Sequence, residues 1–122
     1  MEKESIIQQK LFAFAIRVVN LSNWLVDTRK AYKLADQILR SGTSIGANVE
    51  EAEGGFTKKD FNAKIGIAYK EARETRYWLK LLFATGYLDE KLYTSLLNDC
   101  IELIKILASI QKTTKRNLND NR

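Results

Sequence analysis

Carboxylate side chains come closer than any other residues of this sequence to a spacing that could hold a metal ion. Glu50, Glu51 and Glu53 cluster near the end of one predicted helix, and Glu71 and Glu74 lie three residues apart on the next. Carboxylate oxygens are the ligands that hard divalent cations prefer. In the phase of the predicted helix, however, Glu74 points outward and Glu71 only flanks the apolar stripe. We therefore expect solvated or salt-bridged carboxylates, and we predict no metal site.

The residue types that most catalytic sites require are missing from this sequence. Its 122 residues include no histidine, which removes the commonest general base and the Glu-x-x-His pairs of di-iron bundles. Gly42-x-x-x-Gly46 is not a phosphate-binding loop, because it lacks the Gly-Lys-Ser/Thr ending of that motif. We therefore predict a protein that is not an enzyme, with no catalytic residue and no cofactor.

Cys100 is the only cysteine, so no disulfide can form within the chain. It lies in the largely apolar run 96–101, where a cysteine usually behaves as a small buried hydrophobe. The alternative is a reactive thiol, which needs exposure and a lowered pKa. The sequence has neither the apolar core of a signal peptide nor the roughly 20 apolar residues of a membrane span. Together with the single thiol, these features favour a reducing cytoplasm and no membrane partner.

The excess of positive charge is concentrated in one part of the chain. The net charge is +5 and the isoelectric point about 9.4, and residues 55–86 hold seven Lys and Arg against three Asp and Glu. One helix face and its edge contain the candidate nucleic-acid-binding residues Lys59, Lys70, Arg73, Arg76, Tyr77 and Lys80. Basic side chains attract phosphates, and aromatic rings or guanidinium planes stack on unpaired bases. The alternatives are a solvated face with mixed pairs such as Lys70–Glu74, or a subunit contact.

Four predicted helices position these side chains, because apolar residues recur at steps of four and three along four segments. The predicted bounds are 5–27, 30–53, 57–85 and 89–112, followed by a polar tail, 113–122, that we expect to be frayed. Ser5 and Gln8 form a capping-box pattern, and Thr57 and Asp89 are predicted to cap the third and fourth helices. Gly86 is predicted to end the third.

The second segment is the least helix-like, because residues 41–48 are small and include two glycines, each of which costs a helix about 1 kcal/mol relative to alanine. The apolar period continues through the stretch, so we predict an unbroken helix rather than a break at Gly42. Gly42 and Gly46 then share a face and allow close packing. Asn48 flanks the core, and we expect its amide to be hydrogen-bonded, for example to the third helix. Gly54-Gly55 suits the left-handed backbone that ends a helix.

Short connections between four such segments imply antiparallel neighbours, and so an all-α, up-down-up-down four-helix bundle formed by one domain, 1–122. The first segment has apolar residues beyond its core stripe at Phe12, Ile16 and Val19. The fourth has a second apolar stripe, consisting of Leu97, Ile101, Ile104 and Ala108. Surplus apolar surface favours a homo-oligomer, and the alternative is a broad core.

Two stretches of the sequence resemble a known bacterial family. They are RSGTSIGANVEEA at 40–52 and DFNAKIGIAYKEARETRYWL at 60–79. Both are similar to the signature of the 23S rRNA intervening-sequence proteins, and the resemblance extends over roughly residues 10–110. A helix of small residues that ends in Glu-Glu-Ala is not a general property of helical bundles.

The resemblance implies the same four-helix bundle, assembled as a ring-like homopentamer. Relatives include the accessory protein of diversity-generating retroelements, which has a basic surface and works with nucleic acid and a reverse transcriptase. No catalytic residue is implied. The leading hypothesis is therefore a cytoplasmic, oligomeric protein that binds RNA or DNA through basic helix surfaces. The alternative is an interaction scaffold for an acidic or co-encoded partner protein.

Overall fold

Four antiparallel α-helices account for almost all of residues 5–120, the part of the chain that this computed structural model describes. They are α1 (Ile6–Arg29), α2 (Tyr32–Glu53), α3 (Lys58–Ala84) and α4 (Glu90–Asp120). Helix α2 packs against α1 and α3, and α3 packs against α4, whereas α1 and α4 meet much less closely. The predicted all-α, up-down bundle is confirmed. No helix within 5–120 is long and apolar enough to cross a membrane.

The apolar stripes of the four helices meet in one core. Its fully buried large side chains are Val18, Leu25, Ile38, Ile45, Ile65, Leu79, Leu82, Leu96, Leu103 and Leu107. Every one of them lies at a position that the steps of four and three place on the inner face of its helix. The period of the sequence therefore determines which face of each helix is buried, and with it which face stays in water.

Side-chain caps begin the helices where the sequence predicts them. The Ser5 hydroxyl accepts a hydrogen bond from the Gln8 backbone N–H, and the Gln8 side chain accepts one from the Ser5 N–H, which completes the capping box. The Thr57 hydroxyl caps α3. The Asp89 carboxylate accepts from the Leu92 N–H at 2.7 Å and caps α4.

One helix end is as predicted and two are not. Gly86, just after α3, has a φ of 84°, in the left-handed region, as expected. Gly54 ends α2 with a φ of −87°, so its backbone is not left-handed, and its N–H instead bonds back to the carbonyls of the last turn. Lys30 adopts the left-handed conformation, with a φ of 55°, and ends α1 without a glycine.

Helix α4 continues to Asp120, eight residues beyond the predicted end at 112, so the expected frayed tail is wrong as far as residue 120. The Thr114 hydroxyl donates to the Ile110 carbonyl at 2.8 Å. Leu118, four residues further on, is half-buried near the start of α3 and extends the apolar stripe of α4. One leucine among polar residues was too weak a signal to predict these last two turns of α4. Residues 121 and 122 lie outside the described part of the chain.

The small-residue stretch of α2 is helical throughout, as predicted. A Cβ built on Gly42 would lie 2.6 and 2.8 Å from the γ carbons of Val18, so α1 occupies the space that the glycine leaves. The same atom on Gly46 would lie 3.7 Å from Leu11, an ordinary contact, so close packing is confirmed only at Gly42. The Asn48 amide donates to the Ser44 carbonyl of its own helix and not to α3.

Candidate nucleic-acid interface

The two carboxylates in the middle of α3 are neutralised by a residue of another helix. Arg40 of α2 forms a salt bridge of 3.2 Å with Glu71 and a second one with Glu74. Glu74 also accepts a hydrogen bond of 2.9 Å from the Trp78 indole N–H. All of these contacts lie on the side of α3 that faces α2. The mixed Lys70–Glu74 pair that the i, i+4 spacing allows is therefore replaced by pairs between helices.

The carboxylates of α4 are held in the same way, by α1. Asp99 bonds to Arg17 at 2.7 Å, and Glu102 bonds to Lys10 at 3.0 Å. A further bond of 3.0 Å joins Arg17 to the Ser95 hydroxyl across the same seam. These acidic residues consequently occupy the side of α4 that faces α1, away from α3.

The side of α3 away from α2 packs along the side of α4 away from α1. The exposed residues on either side of this contact form one continuous outer surface. The Cys100 thiol donates to the Ala72 carbonyl at 3.3 Å, and the rings of Phe83 and Tyr93 stack with centroids 4.3 Å apart. Nearer the other end, Gln111 approaches the backbone of Gly66. These contacts show which flank of α3 faces α4 and which flank of α4 faces α3.

Basic residues occupy that flank of both helices. We call the surface the α3–α4 basic face, and it comprises Lys59, Lys70, Arg73, Arg76, Tyr77 and Lys80 of α3 with Lys105, Lys112, Lys115 and Arg116 of α4. All ten are exposed except Arg76, which is half-buried against α4. At 1.5 Å per residue, the α3 part from Lys59 to Lys80 extends over about 32 Å. The structure thus places the six predicted residues on one surface, although Arg76 lies partly inside it.

None of the cations of the basic face forms an ion pair with any residue in the range 5–119. Arg73 donates a hydrogen bond to the Tyr69 hydroxyl at 3.1 Å, which fixes its guanidinium without neutralising its charge. Apart from Glu90 at the start of α4, this flank of the two helices contains no carboxylate between residues 61 and 119. The positive charge of the face is therefore available to an anionic partner.

The four cations of α4 were not among the predicted residues. Helical spacing does place Lys105, Lys112 and Arg116 on one side of α4, which was the available signal. The sequence does not say which side of α4 faces α3, because that depends on contacts such as Gln111 with Gly66. Lys115 joins Lys59 and Asn62 around an open depression at the end of the face.

Four of the five carboxylates considered as metal ligands in the sequence bind other side chains, Glu71 and Glu74 as described above. Glu51 forms a salt bridge of 3.0 Å with Lys64, and Glu53 accepts a hydrogen bond from Gln8. Among the side chains that the structure describes, those of residues 5–119, no group of three His, Cys, Asp or Glu lies close enough to hold a metal ion. Burial raises the pKa of the Cys100 thiol to about 12, against the opposing charge of Arg76. Such a thiol is a poor nucleophile, as expected of a core cysteine.

Comparison with known proteins finds similarity over nearly the whole bundle. The model of the family described as 23S rRNA-intervening sequence protein matches residues 3–109. A crystal structure from Bacteroides thetaiotaomicron, of a protein of unknown function from the S23 ribosomal protein family, is 48% identical with a TM-score of 0.86. That similarity covers 88% of this chain and 99% of the other. No curated protein matches.

Proposed function

The chain belongs to the 23S rRNA-intervening sequence protein family, and on that basis we propose that it is a non-enzymatic protein that binds RNA or DNA through the α3–α4 basic face. The observation that carries the proposal is the separation of charge on α3 and α4. Arg40 neutralises Glu71 and Glu74 on the side of α3 that faces α2, and Arg17 and Lys10 neutralise Asp99 and Glu102 on the side of α4 that faces α1. The cations of the basic face form no ion pair within residues 5–119.

Exposed cations spread along the α3–α4 basic face suit contact with the phosphate backbone of a nucleic acid rather than with the edges of its bases. Lysine and arginine neutralise phosphates through space, and binding releases the counterions condensed on the nucleic acid. No helix of the bundle protrudes as a separate recognition element, and the cations are spread along two parallel helices. Contacts of this kind position a nucleic acid with little information about its sequence.

Binding should therefore depend steeply on salt. If about six phosphates are neutralised, raising the salt concentration from 50 to 200 mM weakens affinity by roughly 10³-fold. The measurement is fluorescence anisotropy of labelled RNA and DNA oligonucleotides over that range. Polyglutamate serves as a competitor that represents an acidic protein partner. Failure of every oligonucleotide to bind at 50 mM salt contradicts the proposal, and preferential binding of polyglutamate favours the protein-scaffold alternative.

Self-association is the second part of the proposal, and it concerns the opposite side of the bundle. Phe12 and Ile16 on the outer face of α1 are 68% and 48% exposed. Beside Phe12 lies a groove of about 430 Å³ whose walls include Gly46 and Ala47 of α2. A protruding ring and a shallow apolar groove on one surface suit contact with a second copy of the chain. The family resemblance implies a ring-like homopentamer, and contact through this α1–α2 surface would not itself cover the α3–α4 basic face.

Replacing Phe12 by glutamate is expected to dissociate the assembly, because a charge would be buried at the contact. Light scattering should give five times the 14.0 kDa chain mass for the original protein, about 70 kDa, and a lower mass for the variant. Phe56→Glu is the matched control, since Phe56 is 99% exposed in the α2–α3 turn. A monomeric original protein, or an unchanged mass for Phe12→Glu, contradicts self-association through this face.

A further inference from the structure

We infer that the nucleic acid held by the α3–α4 basic face is an unpaired strand, with a base stacked on Tyr77. The inference rests on the proposed function and goes beyond it, because it names the form of the ligand. It depends on Tyr77, the exposed aromatic ring of the face, and on the contacts that hold this ring in place.

Tyr77 lies among the cations of α3, and it is 57% exposed. The rings of Tyr77 and Trp78 are in edge contact, with centroids 5.1 Å apart and planes at 73°. Trp78 is itself fixed, because its indole N–H donates to Glu74, which is paired with Arg40. The Tyr77 ring is therefore braced on one side by a fixed neighbour while much of its surface faces water.

A second flat group lies one helical turn away. The Arg73 guanidinium lies 5.7 Å from the centroid of the Tyr69 ring and donates to the Tyr69 hydroxyl. Arg73 precedes Tyr77 by four residues, so their Cα atoms are separated by about 6 Å along the helix and both residues lie on the same face. A guanidinium plane and a tyrosine ring in succession give neighbouring unpaired bases two groups on which to stack.

The bases of a duplex could not stack on these two groups. In double-stranded DNA or RNA each base face is covered by its neighbours, and only base edges are reachable through the grooves. Tyr77 would then meet sugar and phosphate, and the face would act through its charge alone. The aromatic ring contributes to affinity only if the bases are unpaired, whereas the lysines serve either form.

The test compares Tyr77→Leu and Tyr77→Phe with the original protein, binding one RNA sequence as a single strand and as a duplex at the same salt concentration. We expect the original protein to prefer the single strand. Tyr77→Leu should weaken single-strand binding by about 5- to 150-fold, the range for loss of one stacked base, and leave duplex binding unchanged. Tyr77→Phe keeps the ring and should bind like the original, and circular dichroism checks that both variants are folded.

Equal affinity of the original protein for both forms, or an unchanged affinity of Tyr77→Leu for the single strand, overturns the inference while the proposed function stands. A similar loss for duplex and single strand would also overturn it, because Tyr77 would then not distinguish them. If the original protein binds neither form at low salt, the proposed function itself fails, and this inference with it.

Discussion

Replacing Lys70 and Lys80 together by glutamate is expected to weaken binding of single-stranded RNA at 50 mM salt by roughly 10²-fold. Each phosphate contact contributes about 0.7 to the slope of log affinity against log salt for a single strand, so the loss of two contacts lowers the slope by about 1.4. Both lysines are exposed and have no ionic partner among residues 5–119. Their replacement should therefore leave the fold intact.

The matched control is the double variant Lys30→Glu and Lys33→Glu, which changes the net charge equally. Lys30 and Lys33 are exposed at the connection between α1 and α2, outside the α3–α4 basic face. Anisotropy titrations at several salt concentrations give affinity and slope together. If the two double variants lose affinity equally, net charge and not the α3–α4 basic face controls binding.

Replacing Gly42 by alanine is expected to lower the free energy of unfolding by about 1–2 kcal/mol, although alanine favours helix elsewhere. The new methyl group would lie 2.6 Å from a γ carbon of Val18 and 3.1 Å from its β carbon. Val18 is fully buried, and its branched side chain has few alternative rotamers in a helix. Overpacking of this kind costs roughly 1–3 kcal/mol, which exceeds the helix gain of about 0.5–1 kcal/mol.

Gly46→Ala is the control, one turn along the same helix, and its effect should have the opposite sign. Its methyl group would meet Leu11 at 3.7 Å, so the helix gain of about 0.5–1 kcal/mol should remain. Urea unfolding at one protein concentration measures both variants, after light scattering shows that each keeps the original mass. Adding Val18→Ala to Gly42→Ala tests the cause, because the double variant should lose less than the sum of the two single changes.

The sequence was sufficient for the architecture because its information is local and repeated. Steps of four and three recur in every helix, and caps such as Ser5 with Gln8 depend on residues three apart. The errors arose where one residue or a distant contact decides the outcome. Lys30 in left-handed backbone ends α1 without a glycine, and Leu118 adds two turns to α4. The conformation of Lys30 is not visible in a hydrophobic period, and Leu118 extends the period of α4 by only one residue among polar ones.

The candidate site could be predicted only on α3. Helical spacing brings Lys70, Arg73 and Lys80 to one face whatever the rest of the fold does. The same spacing suggested that Glu74 would pair with Lys70, whereas Arg40 of α2 holds it. That pairing depends on the rotation of α2 against α3, which the sequence does not state. The α4 cations could not be predicted to belong to this face, because that depends on the rotation of α4 against α3, which the sequence does not state either.

The slight contact between α1 and α4 has a consequence for how the chain folds. The helices whose backbones lie closest together are neighbours in the sequence, whereas α1 and α4 are bridged by side chains, among them the pairs Arg17–Asp99 and Lys10–Glu102. Most apolar surface can therefore be buried by closing short loops, which costs less entropy than closing long ones. Helical proteins dominated by such local contacts fold in microseconds to milliseconds. We expect helical hairpins to form first and the seam between the chain ends to close last.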